Sequence, residues 1–124
     1  MILAAGLGER MKPLSAERAK PSLCILDVPL LLGMARMLAE QGIEGLIVNT
    51  HPHPETVRAA LRDSPIPVSF SHEPDLRGSG GGILGARELL PAAEPLLVLN
   101  GDMALELDLP ELLHTHRKLG ALAT

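Results

Sequence analysis

Met1-Ile-Leu-Ala-Ala5, followed at once by Gly6-Leu-Gly-Glu-Arg-Met-Lys12, is the stretch that decides the fold. Its first five residues are apolar without alternation, the pattern of a strand buried on both faces of a parallel sheet. The two glycines then let the backbone turn sharply and present unhindered N–H groups to an anion, and Arg10 and Lys12 add charge-assisted donors. Phosphate suits that chemistry. The third glycine of a dinucleotide fingerprint is replaced by Met11, and no Gly-Lys-Ser/Thr follows, so a nicotinamide dehydrogenase and a P-loop ATPase are both disfavoured. For the loop taken alone, a plain glycine turn with surface cations remains the alternative.

Further along, apolar runs and helical faces alternate. Leu30, Met34, Met37, Leu38 and Gln41 fall at helical spacing after Pro29, and Gly42 supplies a stop. Gly45 to Asn49 reads as a second buried strand, the Pro54-led segment to Leu61 as a helix, and Pro67 to Ser71 as a third strand. A glycine cluster precedes a helix expected over Ile83 to Leu90, and Pro95 to Leu99 reads as a fourth strand. Asp108 with Glu111 forms a capping box for a last helix ending near Gly120. This rhythm predicts an α/β protein, a three-layer α/β/α sandwich with a mostly parallel sheet and right-handed crossovers. Ligands of such sheets bind beyond the carboxyl ends of the strands, here the loops starting at Gly6, Thr50, His72 and Asn100.

The composition narrows the function. A chain of 124 residues is one domain at most, and with Phe70 as its single aromatic residue the core must be aliphatic. A net charge of −4 argues against a broad nucleic-acid-binding surface, and the missing aromatics remove a base-stacking platform. No run approaches the ~18 apolar residues of a membrane span, and no basic flank marks a signal peptide. Cys24, alone and inside an apolar run, suits a buried thiol in a reducing compartment, so a cytoplasmic setting is expected.

Three further clusters carry chemistry. Lys20-Pro21 places a second cation near the first loop, although an isolated lysine there could merely snorkel from the core's edge. Asn100-Gly101-Asp102 projects a carboxylate at the end of the fourth strand. Opposite phosphate-binding cations it suits a divalent metal, while a simple Asn-Gly turn is the competing reading. Gly78-Ser-Gly-Gly-Gly82 would let a flat ligand approach a helix N-terminus closely, or would be a linker. The five histidines lack zinc-ligand spacing, and no Gly-x-Ser-x-Gly elbow supports a serine hydrolase.

Leu3-Ala-Ala-Gly-Leu-Gly-Glu-Arg-Met11, Pro13-Leu-Ser15, Lys20-Pro21, Glu73, Gly78 to Gly82 and Asn100-Gly-Asp102, in that order along the whole chain, resemble the sugar-1-phosphate nucleotidyltransferases. The likeness is greatest to the mannose-1-phosphate guanylyltransferase-like and N-acetylmuramate-1-phosphate uridylyltransferase-like members. It implies a Rossmann-like fold of the nucleotide-diphospho-sugar transferase type and transfer of a nucleoside monophosphate from a nucleoside triphosphate to a sugar 1-phosphate, with Mg²⁺ as cofactor and pyrophosphate released. By the same resemblance Arg10 and Lys20 are the catalytic cations. Leu3, Ala4, Ala5, Gly6, Gly8, Glu73, Gly81 and Gly82 bind the nucleotide, and Asp102 is a metal ligand. The partners implied are these two substrates, neither nucleic acid nor membrane, and homo-oligomerisation is left open.

Members of that family are about twice as long. Residues 1–124 are therefore expected to be the N-terminal, nucleotide-binding part, with the sugar-binding part absent and little transferase activity alone. A non-catalytic nucleotide-binding regulatory module is the main alternative, and a cytidylyltransferase for a non-sugar acceptor a third reading. Retention of Arg10, Lys20 and Asp102 together favours the enzyme.

Overall fold

The computed structural model describes residues 1–91 and 95–124. In chain order the elements are β1 (Ile2–Leu3), a hairpin of β2 (Cys24–Ile25) and β3 (Val28–Pro29), α1 (Leu30–Glu40), β4 (Leu46–Thr50), α2 (Pro54–Ala60), β5 (Val68–His72), α3 (Gly78–Gly85), β6 (Leu99–Asn100) and α4 (Leu109–Leu119). Four strands form one parallel sheet in the order β5-β4-β1-β6, with Ile2 registered against Val48 on one side and Leu99 on the other.

The chain winds outward from β1 through β4 to β5, then returns across the sheet to β6. With this strand order, the right-handed rule for such crossovers assigns α1 and α2 to one face and α3 to the other, the expected three-layer arrangement. The helices α1 and α2 accordingly pack against each other. Winding reverses between β1 and β6, and the crevice at their carboxyl ends is where such sheets receive ligands.

The core is aliphatic, as a chain with one aromatic residue requires. Ile2, Leu31, Val48 and Val57 are fully buried, each stabilising the fold by roughly 1.5–3 kcal/mol. The expected helix α1 forms, but its buried face is Leu31, Leu32, Met34, Ala35 and Leu38, which shares Met34 and Leu38 with the face read from the spacing, while Leu30, Met37 and Gln41 are half-buried. Phe70 sits at the core's margin with the Arg58 guanidinium 4.4 Å over its ring. The last helix also forms as expected, with the Asp108 carboxylate accepting the Glu111 N–H at 3.0 Å and Gly120 closing it at φ +56°.

Three expectations are corrected. Cys24 is exposed, because the apolar run around it is split by a tight turn into the β2–β3 hairpin. The Pro95–Leu99 strand contracts to Leu99–Asn100, since β1 offers only two residues to pair with. The helix expected over Ile83–Leu90 instead spans Gly78–Gly85, followed by a single 3₁₀ turn at Arg87–Leu89. Glycine is a poor helix former, so its cluster reads as a break. Here packing overrides propensity, because Gly82 lies where a Cβ would sit 2.6 Å from Asn49 Nδ2 and 2.7 Å from Glu73 Oε1.

Candidate functional site

A cleft of about 540 Å³ opens at the reversal point, within the size range of small-molecule sites. One wall is the loop after β1. Gly8 adopts φ +66°, and a Cβ there would approach Ser15 Cβ to 3.0 Å, so glycine is required on both counts. Ser15 Oγ donates to the Gly8 carbonyl at 2.7 Å and the Met11 N–H donates to the same oxygen at 2.8 Å, folding Glu9–Met11 into a 3₁₀ turn. That turn carries Arg10 to the cleft, where among the described residues it makes no ion pair. Lys12 is committed elsewhere, its Nζ bonded to Glu9 Oε2 at 2.8 Å on the surface.

The second wall is built from Lys20-Pro21 and the turn after β6. The Gly101 N–H donates to the Leu3 carbonyl at 2.8 Å, and a Cβ at Gly101 would press on Leu3 O, Ile2 and Pro21 within 3.2 Å. This close approach brings Asp102 to Lys20, Nζ to Oδ2 at 2.6 Å. The Lys20 ammonium bonded to it holds the Asp102 carboxyl below its ordinary value. Partial burial opposes this shift, and the charges of Lys20 and Arg10 reinforce it. Among the described residues the Asn100-Gly101 turn leads to no antiparallel partner, so the hairpin reading of that motif is set aside.

The third wall is the start of α3, where Leu76, Gly78 and Ser79 reach the cleft. Of the residues singled out in the sequence, Leu3, Ala5, Gly6, Gly8, Arg10, Lys20 and Asp102 line one cavity. Ala4, Glu73, Gly81 and Gly82 are not among its lining residues. Ala4 is buried with its N–H donating to Asn49 Oδ1 at 2.7 Å, and Glu73 is 2% exposed. Asn49, which lines the cleft and is itself buried, escaped the sequence reading. Its signal was a polar residue closing an apolar strand at the same sheet edge as Gly6.

A glycine loop, the cations Arg10 and Lys20, and Asp102 thus meet at the switch point of a parallel sheet, where α/β proteins commonly place their ligand sites. Over residues 1–124 the chain matches the nucleotidyl transferase family, and it belongs to that family. It is 31% identical to the UTP–glucose-1-phosphate uridylyltransferase of Synechocystis, with all of this chain and 35% of that protein aligned. It is 28% identical to the mannose-1-phosphate guanylyltransferase catalytic subunit beta of Dictyostelium discoideum, over 100% and 36% of the two chains. The crystal structure of HddC from Yersinia pseudotuberculosis complexed with GMP-PN superimposes with a TM-score of 0.81 at 30% identity, covering 93% of this chain and 52% of that one. The chain spans about a third of the length of the curated relatives it matches.

Among the described residues no three His, Cys, Asp or Glu side chains group as a metal cage. Of the two carboxylates that line the cleft, Glu9 is paired to Lys12 and Asp102 lies against Lys20. That donor set fits a Mg²⁺ ion which arrives with a ligand's phosphates, since Mg²⁺ is commonly held by one or two carboxylates plus substrate oxygens. No described helix is long and apolar enough to cross a membrane.

Proposed function

We propose that the cleft binds a nucleoside triphosphate, and that the complete protein transfers its nucleoside monophosphate to a sugar 1-phosphate. In that reaction an oxygen of the sugar phosphate bonds to the α-phosphorus, the bond from that phosphorus to the β-phosphate's bridging oxygen breaks, and pyrophosphate leaves. The observation that carries this reading is the meeting of the Gly6–Arg10 loop, Lys20 and Asp102 in one crevice. Such a displacement needs positioning and charge neutralisation more than covalent help from the protein.

The Gly6–Gly8 backbone wraps the triphosphate, and the unpaired Arg10 takes the β- and γ-phosphates. Lys20 neutralises the α-phosphate and the incoming sugar phosphate once it leaves Asp102. The Gly78–Ser79 turn faces the base, backed by Glu73, Gly81 and Gly82. Asp102, together with the phosphates, would hold Mg²⁺, which would supply further neutralisation of charge. The free, exposed Cys24 thiol suits a reducing, cytoplasmic setting. Residues 1–124 are the nucleotide half, and turnover requires the rest of the sugar site.

A thermal-shift panel of UTP, GTP, CTP, dTTP and ATP, with and without Mg²⁺, tests this. At a hundred-fold excess over Kd a bound nucleotide adds about 2.7 kcal/mol to stability, so at least one should raise the midpoint, more so with Mg²⁺. A folded sample that responds to none of the five contradicts the reading. Pyrophosphate release by residues 1–124 at an ordinary enzymatic rate, on the order of 10 s⁻¹, contradicts the assignment to a half site.

A further inference from the structure

From Asn49 in the cleft wall a buried polar chain runs inward to Glu73, and neither side chain has a role in the proposed phosphoryl chemistry. Asn49 and Glu73 are each 2% exposed. Asn49 Oδ1 accepts the Ala4 N–H at 2.7 Å, and its Nδ2 donates to Glu73 Oε1 at 2.6 Å. Glu73 Oε2 accepts the N–H of Arg77, the residue that opens α3, at 3.1 Å. The backbone of Glu73 is also fixed, its N–H donating to Thr50 O at 2.7 Å and its carbonyl 2.9 Å from His51 Nδ1. Gly82 packs so closely that a Cβ there would sit 2.6 Å from Asn49 Nδ2 and 2.7 Å from Glu73 Oε1.

Burying a carboxylate costs several kcal/mol unless its hydrogen bonds are made, and among the described residues no cation pairs with Glu73. An apolar pair would fill the space at lower cost. What an apolar pair could not do is accept two backbone N–H groups that the sheet leaves over, Ala4 just past the end of β1 and Arg77 just before α3. With an N–H donor at each end, the two side chains between must offer two outward acceptors and share one inward donor. An amide beside a carboxylate meets this condition. Two amides set donor against donor, and two carboxylates have no proton to share.

We propose that Asn49 and Glu73 form a positioning pair for the nucleotide site, fixing the distance and register between the glycine loop after β1 and the first turn of α3. These two walls grip opposite parts of one ligand, so their spacing sets affinity. The inference rests on the nucleotide reading of the cleft, although the pair itself touches no reacting atom.

The polarity of the pair supplies its test. Asn49→Asp places two carboxylates face to face, and Glu73→Gln sets an amide N–H against either Asn49 or Arg77. The double variant Asn49→Asp/Glu73→Gln restores every bond with the donor moved to the other side. Nucleotide binding is measured by titration with the triphosphate that stabilises the parent most, in Mg²⁺, well below each midpoint, and amide hydrogen exchange is followed at Ala4 and Arg77. Each single variant should weaken binding about tenfold or more and speed exchange at both amides. The double variant should recover binding to within about threefold and recover protection.

Folded single variants with parental affinity overturn the proposal, as does a double variant that restores neither property. Where the single variants do not fold, the double decides alone: folding with parental affinity supports the pairing, and failure like the singles contradicts it. A parent that binds no triphosphate refutes the nucleotide reading. Exchange at Ala4 and Arg77 then still decides whether the pair holds the two segments.

Discussion

Gly82 and Gly80 lie two residues apart in one helix, yet they obey opposite rules. At Gly80 a Cβ would meet nothing within 4 Å, whereas at Gly82 it would collide with Asn49 and Glu73. Gly80→Ala should therefore stabilise the protein by about 0.4–1 kcal/mol through the unfolded chain. Gly82→Ala should destabilise it by about 1–3 kcal/mol through overpacking, and urea denaturation of both variants measures the signs. Asp102 offers a second test at this scale. Its carboxyl is held low mainly by Lys20, so the pair's contribution is present above the ordinary carboxylate range and lost as pH falls through the lowered value. Both side chains are about a third exposed, which limits the pair to about 0.2–1 kcal/mol. The gap in urea midpoint between the parent and Asp102→Asn should close by that amount on acidification. Parallel curves would show that the bond contributes nothing to the fold.

Among the elements, those with their own local signal were legible in the sequence. The amphipathic α1, the capped α4 and the buried β4 follow from spacing, a capping box and an unbroken apolar run, all local properties. The β2–β3 hairpin was not legible, because its turn is made by Leu26 and Asp27 at φ +50° and +64°, and leucine is a residue that rarely marks such a turn. Leu26 is also 93% exposed, so nothing in the packing rewards it. Leu26→Asn should stabilise the protein by up to about 1 kcal/mol, read from the thermal midpoint, and a fall in that midpoint would mean that the leucine is held by a contact outside this chain. The helix α3 was misplaced for the opposite reason. Its five glycines read locally as a break, and the long-range contact that requires one of them, Gly82 against Asn49 and Glu73, leaves no local trace. Of the site, the charged groups and the glycine loop were legible. The buried Asn49 was not, since a polar residue closing an apolar strand does not by itself name a hydrogen-bond partner 45 residues away.

For the whole molecule, strand order does what no single motif can. Reversal of winding between β1 and β6 gathers residues from the first loop, from Lys20, from the start of α3 and from Asp102, more than 90 positions apart, into one cleft. The proposed function requires that this cleft receive a nucleoside triphosphate. Backbone amide NMR during titration with the most stabilising triphosphate, with and without Mg²⁺, tests it most directly. The expected result is saturable shifts concentrated at Gly6 to Met11, Lys20, Gly78, Ser79 and Asp102, with those at Asp102 dependent on Mg²⁺ and those at the loop weakened in Arg10→Ala. Shifts centred elsewhere on the molecule, or none at saturating nucleotide, would contradict it.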